Sequence, residues 1–477
     1  MSLSASFRDP HGCCFAFGGR ILRAVNAEGL ETLEAFLTTQ TAQQFLAQGN
    51  LVSSRRLSGA EVAELQANAA LDPFLGGRDV AAVFEHERIP FPSYPTEWPA
   101  EMLDAAAILT LDLAEQCLAE GWGLKDATPH NILFHGGKPV FIDLLSFERR
   151  KPGDPLWLPY AQFCRTFLLP LLSHKHWGLL PNEVFATHGD GLEPSEVYRF
   201  CGPLRRLLPP FLTQVSLPTW LGRHSTDAAT YRERSLSDPE KAQFILQSLF
   251  KRLRRSLQRA RPTAAQTTTW SDYMKSHSYT DADFVAKENF VREALRERPG
   301  RRVLDIGANT GHFSQLAAES GASVVAIDFD SGCIGRLWQR TRERHLDILP
   351  LMVDLTRPSP AQGWRNRECR SFLERATGDF DAVLMLAVIH HLLVTKRIPL
   401  AEILDQAAEL TTGTLVIEYV GPQDPMFQGL TRGREHLHVN FNQAVFEQAC
   451  GHRFRILRQT RLPSADRALY FCERRNS

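Results

Sequence analysis

The 477-residue sequence has no excess of charge of either sign, because lysine plus arginine and aspartate plus glutamate both number 54. Without a net field there is no general attraction to nucleic acid or to an anionic membrane, although a local basic stretch can still act. The nine cysteines are scattered and form no C-x-x-C pair. This pattern indicates neither a disulfide framework nor a metal site, so we expect reduced thiols and a cytoplasmic protein.

Long hydrophobic runs are also missing. The first ten residues lack the basic start and apolar core of a secretory signal. The most apolar run, at 167–172, is broken by Pro170 and is far shorter than the roughly 20 residues that span a bilayer. We therefore expect neither export nor membrane insertion. With 43% hydrophobic and 23% charged residues the chain is globular, and its length predicts two or three domains.

A change in composition divides the chain near residue 260. Residues 251–261 are strongly basic and are followed by a stretch with little apolar content. A grip on phosphates is one interpretation of the basic stretch, but a solvated helix end before a linker is favoured. We expect an N-terminal α+β domain over 1–240, a basic helix and linker over 241–269, and a C-terminal domain over 270–477.

The C-terminal domain alternates short β-branched runs with helical segments. Five of these runs are spaced by about one helix each, which is typical of a doubly wound parallel sheet, and the last two form an antiparallel hairpin. The predicted strands are 302–306, 323–327, 348–353, 382–386, 413–418, 454–460 and 468–472. The expected fold class is therefore α/β, with a Rossmann-like sheet of about seven strands.

A glycine-rich loop at 303–314 connects the first of these strands to a helix. Gly307 and Gly311 frame the turn, where glycines let backbone amides approach a ligand and the helix N-terminus attracts negative charge. A dinucleotide would require G-x-G-x-x-G, but Asn309 occupies the middle position and no glycine follows at the required step. The nicotinamide interpretation is therefore weakened.

Three acidic residues end successive strands beside this loop. Asp305 would repel a pyrophosphate but suits the ammonium group of a methionine moiety. Asp328 is placed to accept hydrogen bonds from both ribose hydroxyls, and Asp354 to accept one from an adenine amine. Helix capping is the alternative explanation of the three acids. Their placement at one edge of a sheet favours cofactor binding.

These residues resemble class I S-adenosylmethionine-dependent methyltransferases, whose first motif is an acid-x-Gly-x-Gly-x-Gly loop after the first strand. Asn309 departs from the motif at its middle glycine, although asparagine tolerates a left-handed backbone better than most residues. The resemblance covers roughly 270–477. It implies S-adenosylmethionine as the cofactor and methyl transfer as the reaction, without specifying an acceptor.

Side chains that precede and follow this loop in the sequence are candidates for contacting the cofactor or assisting methyl transfer. His390 and His391 follow the fourth strand at the edge of the crevice, where a histidine could act as a general base. Packing beneath the cofactor is the alternative, and transfer to a good nucleophile needs only proximity and alignment. Upstream, Trp270, Tyr273 and Tyr279 fall where such enzymes place a segment over the cofactor. There an aromatic face would attract the sulfonium, or would simply anchor the linker.

The N-terminal half contains a second motif. Asp126 and Asn131 have D-x-x-x-x-N spacing, and a predicted hairpin separates Asn131 from Asp143. This resembles protein-kinase-like and aminoglycoside-phosphotransferase-like folds, which implies that Asp126 orients a hydroxyl and that Asn131 and Asp143 hold magnesium. However, Leu124 replaces the usual histidine, and no lysine precedes Lys125 to anchor ATP. A degenerate kinase-like scaffold, a chance match and an active phosphotransferase all remain open.

The whole chain also resembles a group of bacterial two-part proteins described as class I methyltransferases, some of them host-specific nodulation proteins. The similar segments include Leu-Lys-Asp-Ala-Thr-Pro at 124–129 and Phe-Ile-Asp-Leu-Leu-Ser-Phe at 141–147. The resemblance implies methyl transfer and two halves that act together. We expect a small-molecule or carbohydrate acceptor and no nucleic-acid partner, with the oligomeric state open. The alternatives are a phosphotransferase and a non-catalytic cofactor-binding scaffold.

Overall fold

The chain forms two compact units. In the computed structural model, unit 1 comprises Met1–Thr263 and Ala361–Cys369, and unit 2 comprises Ala264–Pro360 and Arg370–Ser477. Within the described residues, none of the helices combines the length and apolar composition that a bilayer-spanning segment requires. The structure describes residues 8–76, 79–222, 236–262 and 280–475.

Unit 1 begins with an antiparallel sheet. The described strands of unit 1 are β1 (Gly12–Phe17), β2 (Arg20–Val25), β3 (Ser54–Arg56), β4 (Ala82–His86), β5 (Trp122–Leu124), β6 (Ile132–His135), β7 (Lys138–Phe141) and β8 (Phe147–Arg149). The first four strands form one sheet in the order β1-β2-β4-β3, while β5 pairs with β8 and β6 pairs with β7. The β6–β7 pair is the hairpin predicted before Asp143, and it is confirmed.

Most of the remainder of unit 1 is helical. Its described helices are α1 (Ala27–Leu37), α2 (Gln40–Ala47), α3 (Gly59–Gln66), α4 (Asp72–Leu75), α5 (Ala100–Ala119), α6 (Tyr160–Phe163), α7 (Leu169–Trp177), α8 (Pro181–Thr187), α9 (Pro194–Phe200), α10 (Pro203–Arg206), α11 (Leu217–Gly222) and α12 (Pro239–Ala260). The basic stretch lies at the end of α12 and is not wholly solvated. Arg254 there donates to Asp112 (2.6 Å) and Glu115 (2.7 Å) on α5.

Unit 2 contains a seven-stranded sheet. The strands are β9 (Arg302–Ile306), β10 (Ser323–Asp328), β11 (Ile348–Met352), β12 (Phe380–Met385), β13 (Thr411–Val420), β14 (Phe454–Arg461) and β15 (Arg467–Arg474). Their order is β11-β10-β9-β12-β13-β15-β14. The first five strands are parallel, while β15 runs antiparallel to both β13 and β14. The predicted Rossmann-like sheet with a terminal antiparallel hairpin is confirmed.

Helices connect these strands. The described helices of unit 2 are α13 (Asp281–Glu297), α14 (His312–Glu319), α15 (Ser331–Arg344), α16 (Phe372–Ala376), α17 (Leu400–Leu410), α18 (Pro425–Thr431) and α19 (Gln443–Arg453). A π-helical turn, His391–Thr395, follows β12. Since β9 pairs with β10 on one side and β12 on the other, the strand order reverses there. A crevice at the carboxyl ends of strands at such a point is where open α/β sheets bind ligands.

A buried chain of charges joins three parts of unit 2. Lys287 on α13 donates to Glu418 on β13 at 2.6 Å, and Arg467 on β15 donates to the other oxygen of Glu418 at 3.2 Å. Arg467 also forms a bidentate pair with Asp424, at 2.7 and 3.0 Å. All four residues are buried. A paired charge in the interior becomes strongly unfavourable once its partner is removed.

We therefore expect Glu418→Gln to destabilise unit 2, because two buried cations would then face the single carboxylate of Asp424. The expected loss of unfolding free energy is about 3–5 kcal/mol, measured by urea denaturation followed by near-UV circular dichroism. Glu473→Gln is the matched control, because this half-buried carboxylate of β15 pairs with Arg298 and Arg455 near the surface, where the loss of an ion pair should change the transition little. Equal transitions for the two variants would contradict the structural importance of the buried chain.

Candidate functional site

The loop after β9 turns through two glycines that no other residue could replace without strain. Gly307 and Gly311 have φ angles of +70° and +79°. A Cβ atom at 307 would lie 2.4 Å from a methyl carbon of Val388, and one at 311 would lie 2.2 Å from a methyl carbon of Leu337. Both conformation and space therefore require glycine.

Asn309 adopts the left-handed conformation expected of it, with a φ angle of +51°. Its amide donates to Oδ2 of Asp328 at 2.8 Å, and its side-chain oxygen accepts from the amide of Thr310 at 2.7 Å. The amide of Ala308 donates to the carbonyl of Ile327 at 3.0 Å. These bonds fix the loop to the end of β10. The departure from the middle glycine of the motif thus leaves the turn intact.

Asp305 is a carboxylate buried at the end of β9, with only 2% of its surface exposed. The hydroxyl of Ser314 donates to Oδ2 at 2.6 Å. Burial raises the pKa of Asp305 to about 6, although the Ser314 hydrogen bond and the charge of Lys287 act in the opposite direction. A bound cation would favour the ionised form of this carboxyl group.

Asp328 lies at the end of the neighbouring strand and is also buried. Burial raises the pKa of Asp328 to about 6, and hydrogen bonds from the amides of Asp330 and Asn309 oppose that shift. The Asp330 amide donates to Oδ1 at 3.0 Å. Because each carboxylate oxygen has two lone pairs, both oxygens can still accept a further hydrogen bond.

Asp354, just after β11, lies in a different environment. Its Oδ1 accepts from the amide (2.9 Å) and the hydroxyl (2.7 Å) of Thr356, and its Oδ2 accepts from Lys396 at 3.0 Å. Partial burial would raise the pKa of Asp354, but these hydrogen bonds outweigh it and lower the pKa. Asp354 is therefore a charged, ion-paired group, unlike the two other acids.

His390 and His391 follow β12 with their rings 4.1 Å apart. Among the described residues, neither ring nitrogen of the buried His390 has a hydrogen-bond partner. Burial lowers the pKa of His390 well below its usual value, and nearby positive charges, including those of Arg467 and Lys287, reinforce the shift. Burial, assisted by Arg467, lowers the pKa of His391 to about 4. Both imidazoles are therefore neutral near pH 7.

The backbone that precedes the histidines is strained. Ala387 has a φ angle of +58°, a conformation that residues other than glycine rarely adopt. Strain of this kind is concentrated at functional sites, where the surrounding structure must hold it in place. The π-helical turn that begins at His391 adds a second irregularity at the same place.

Sequence reasoning missed the buried charges of Lys287, Glu418 and Arg467. Of these, Lys287 acts on Asp305 and His390, and Arg467 acts on both histidines. Two signals were available. Lys287 falls on the buried face of α13, which also carries Phe290 and Val291, and Glu418 interrupts an otherwise apolar run in β13. Charges at such positions indicate buried ion pairs. The predicted cofactor residue Tyr279, with Trp270 and Tyr273, lies outside the described residues.

The kinase-like loop of unit 1 contains an ion pair that the sequence did not indicate. Arg23, buried on β2, donates to Asp143 at 3.1 Å and to His86 at 3.1 Å. Asp126 is exposed and accepts from Gln162 at 3.3 Å. Asp143 is thus paired with an arginine, and the lysine that would anchor ATP is absent before Lys125. Over the described part of the chain, no three His, Cys, Asp or Glu side chains are grouped to hold a metal ion.

Comparison with known proteins identifies the C-terminal region. A family model described as "Methyltransferase domain" matches residues 279–455. Two solved structures are similar to part of the chain: the N-methyltransferase NodS from Bradyrhizobium japonicum WM9 and the magnesium protoporphyrin IX methyltransferase (ChlM) from Synechocystis PCC 6803 with bound SAH. The first is 16% identical, with a TM-score of 0.31, and the alignment covers 41% of this chain and 98% of that one. The second is 18% identical, with a TM-score of 0.30 and coverages of 43% and 93%.

The similarity to one curated protein extends through both units. Over 478 aligned residues the chain is 30% identical to nodulation protein NoeA of Rhizobium meliloti (strain 1021), and the alignment covers 99% of this chain and 96% of that protein. The chain therefore belongs to the NoeA family and carries a methyltransferase domain in its C-terminal region.

Proposed function

We propose that unit 2 binds S-adenosylmethionine and transfers its methyl group to a small-molecule or carbohydrate acceptor. One observation carries this proposal. Two buried carboxyl groups, those of Asp305 and Asp328, end adjacent parallel strands beside a loop whose two glycines cannot be replaced without strain. Burying a carboxylate is unfavourable unless a ligand or a neighbour compensates it. The cofactor supplies one ammonium group and two ribose hydroxyls, which match what the two carboxylates would bind.

In this proposal Asp305 holds the ammonium group of the methionine moiety. Its buried position strengthens the attraction, because charges interact more strongly where water is excluded. Asp328 accepts hydrogen bonds from the ribose hydroxyls, while Gly307, Asn309 and Gly311 let the cofactor approach the backbone. Asp354 accepts a hydrogen bond from the adenine amine.

We propose that His390 and His391 line the part of the crevice that receives the acceptor. A neutral imidazole can accept a hydrogen bond from the O–H or N–H group that is to be methylated, and so align its lone pair with the methyl carbon. The bound cofactor would supply an electrophilic methyl group: the acceptor's lone pair would form the new bond to the methyl carbon, the electron pair of the broken carbon–sulfur bond would stay on sulfur, and the acceptor's proton would pass to solvent. Because a pKa of about 4 makes His391 a weak base, alignment is its principal contribution. Tyr279, which lies outside the described residues, stays a proposed cofactor-binding residue.

The two halves of the chain are proposed to serve one function, since the similarity to NoeA extends over 99% of the sequence. We propose domain limits of 1–240 and 270–477, joined by a helix and linker at 241–269. The N-terminal half would contribute to acceptor recognition. It would do so without phosphotransfer, because Arg23 already neutralises the carboxylate of Asp143.

Asp328→Asn should weaken the binding of S-adenosylhomocysteine about 10- to 100-fold, because the charged acceptor of the ribose hydrogen bonds is lost. Isothermal titration calorimetry measures the effect. The matched control is Asp347→Asn, since Asp347 is exposed near the amino end of β11. Unchanged affinity in a folded Asp328→Asn protein would contradict the proposed cofactor site.

The stability of the unliganded protein should decrease as the pH rises. The pKa of Asp305 and of Asp328 is raised from 3.8 to about 6 in the folded state. Folding therefore favours the protonated forms, whose contribution is fully present below about pH 4 and is lost as the pH rises through about 6. Thermal unfolding without ligand at about pH 5 and about pH 7.5 measures the difference.

Asp305→Asn supplies the control for this pH dependence. The variant should lose part of the decrease in stability, because an amide does not titrate, and should also bind S-adenosylhomocysteine more weakly. A decrease of the same size in the variant would show that Asp305 is not its source.

A further inference from the structure

Six large apolar side chains lie on the surface of unit 1, on α9 to α11 and on the connections between them. The hydroxyl of Ser216, the residue just before α11, donates to the carbonyl of Arg206 on α10 at 2.8 Å and so connects the two helices. We call these six residues the leucine face. With exposed fractions of 40–81%, they are Phe200, Leu204, Leu207, Leu208, Leu217 and Leu221.

The segment around α10 reverses the usual arrangement of a surface helix, in which leucines turn inward and arginines outward. Leu204 and Leu208 are 81% and 60% exposed. The guanidinium of Arg205 instead lies over the ring of Trp177 at 5.5 Å, and that of Arg206 lies over the ring of Tyr198 at 3.9 Å. This reversal indicates that the medium next to α10 is apolar.

The charge of α9 to α11 is mainly positive. These helices and their connections carry three arginines and one acidic residue, Glu196 on α9, whose carboxylate accepts from the amide of Glu193 at 2.8 Å. Arg199 is exposed next to Phe200, while Arg205 and Arg206 remain partly exposed beside the leucines. A surface that combines apolar projections with arginines is complementary to an apolar medium bordered by anions.

We propose that the leucine face docks onto the surface of an anionic membrane. The leucines would enter the boundary between headgroups and acyl chains, and the exposed Arg199 would contact lipid phosphates, while Arg205 and Arg206 would add positive charge beside the leucines. Exposures of 59–81% at positions 204, 207 and 208 mean that these side chains project outward, as insertion requires. The binding is peripheral, and it is independent of methyl transfer.

A second copy of this chain is a poorer occupant of the same face. A two-fold interface places the same patch on both subunits. It would therefore bring three arginines close to three others, with only Glu196 of each copy to balance them. Juxtaposed like charges disfavour association, whereas anionic lipid headgroups neutralise each arginine.

The experiment is sedimentation of the full chain with vesicles of phosphatidylcholine alone and of phosphatidylcholine mixed with phosphatidylglycerol. The test variant combines Leu204→Ser, Leu207→Ser and Leu208→Ser, and a second variant is Arg199→Glu. The matched control combines Leu437→Ser and Val439→Ser, because these residues of unit 2 are similarly exposed (57% and 76%). Near-UV circular dichroism checks that every variant is folded.

We expect the unmodified chain to sediment with the mixed vesicles much more than with the neutral ones, and less at high salt. The triple variant should lose at least about tenfold in partitioning, Arg199→Glu about tenfold, and the control pair nothing. Absence of binding to the mixed vesicles, or equal partitioning of the triple variant, would overturn the proposal. A dimer in solution that the triple variant dissociates, without vesicle binding, would instead make this face an interface between copies.

Discussion

The crevice of unit 2 depends on two carboxyl groups buried side by side at the ends of β9 and β10. Burial raises the pKa of Asp305 and of Asp328, so the unliganded site holds charge at a cost in stability. Neighbouring donors partly stabilise these carboxylates: the amide of Asn309 donates to Asp328, and the hydroxyl of Ser314 donates to Asp305. A ligand that carries a positive charge and hydroxyl groups would stabilise the two ionised carboxylates. The position of these acids at adjacent strand ends therefore matches the proposed cofactor.

Charges beneath the crevice complete this environment. Lys287 and Arg467 share Glu418, and their positive charge helps to keep the two histidines neutral. The side that is proposed to face the acceptor therefore offers hydrogen-bonding groups without net charge. The strained backbone at Ala387 places these imidazoles just after β12, next to the strand that carries Asp305. The fold thus separates a charged side of the crevice, suited to the cofactor, from a neutral side suited to the acceptor.

Much of this fold could be predicted from the sequence because its signals are local. The β-branched runs place β9 at its observed limits and the other strands of unit 2 within two residues at most ends, and the acids at strand ends follow from the alternation of strands and helices. The pairing of Asp354 with Lys396 could not be predicted, since 42 residues separate them and only the packed loops bring them together. The pair between Arg23 and Asp143 depends in the same way on how β2 packs. Around α10, the local pattern does not reveal that leucines rather than arginines face outward.

The proposed binding of a cationic cofactor by the buried carboxylates is tested most directly by calorimetric titration of the full chain with S-adenosylmethionine. The titration is made near pH 6, about the pKa of both groups, in two buffers of different ionisation enthalpy. We expect saturable binding with net release of protons, because the ligand stabilises the ionised carboxylates. Absence of binding, or binding with no release of protons, would contradict this proposal.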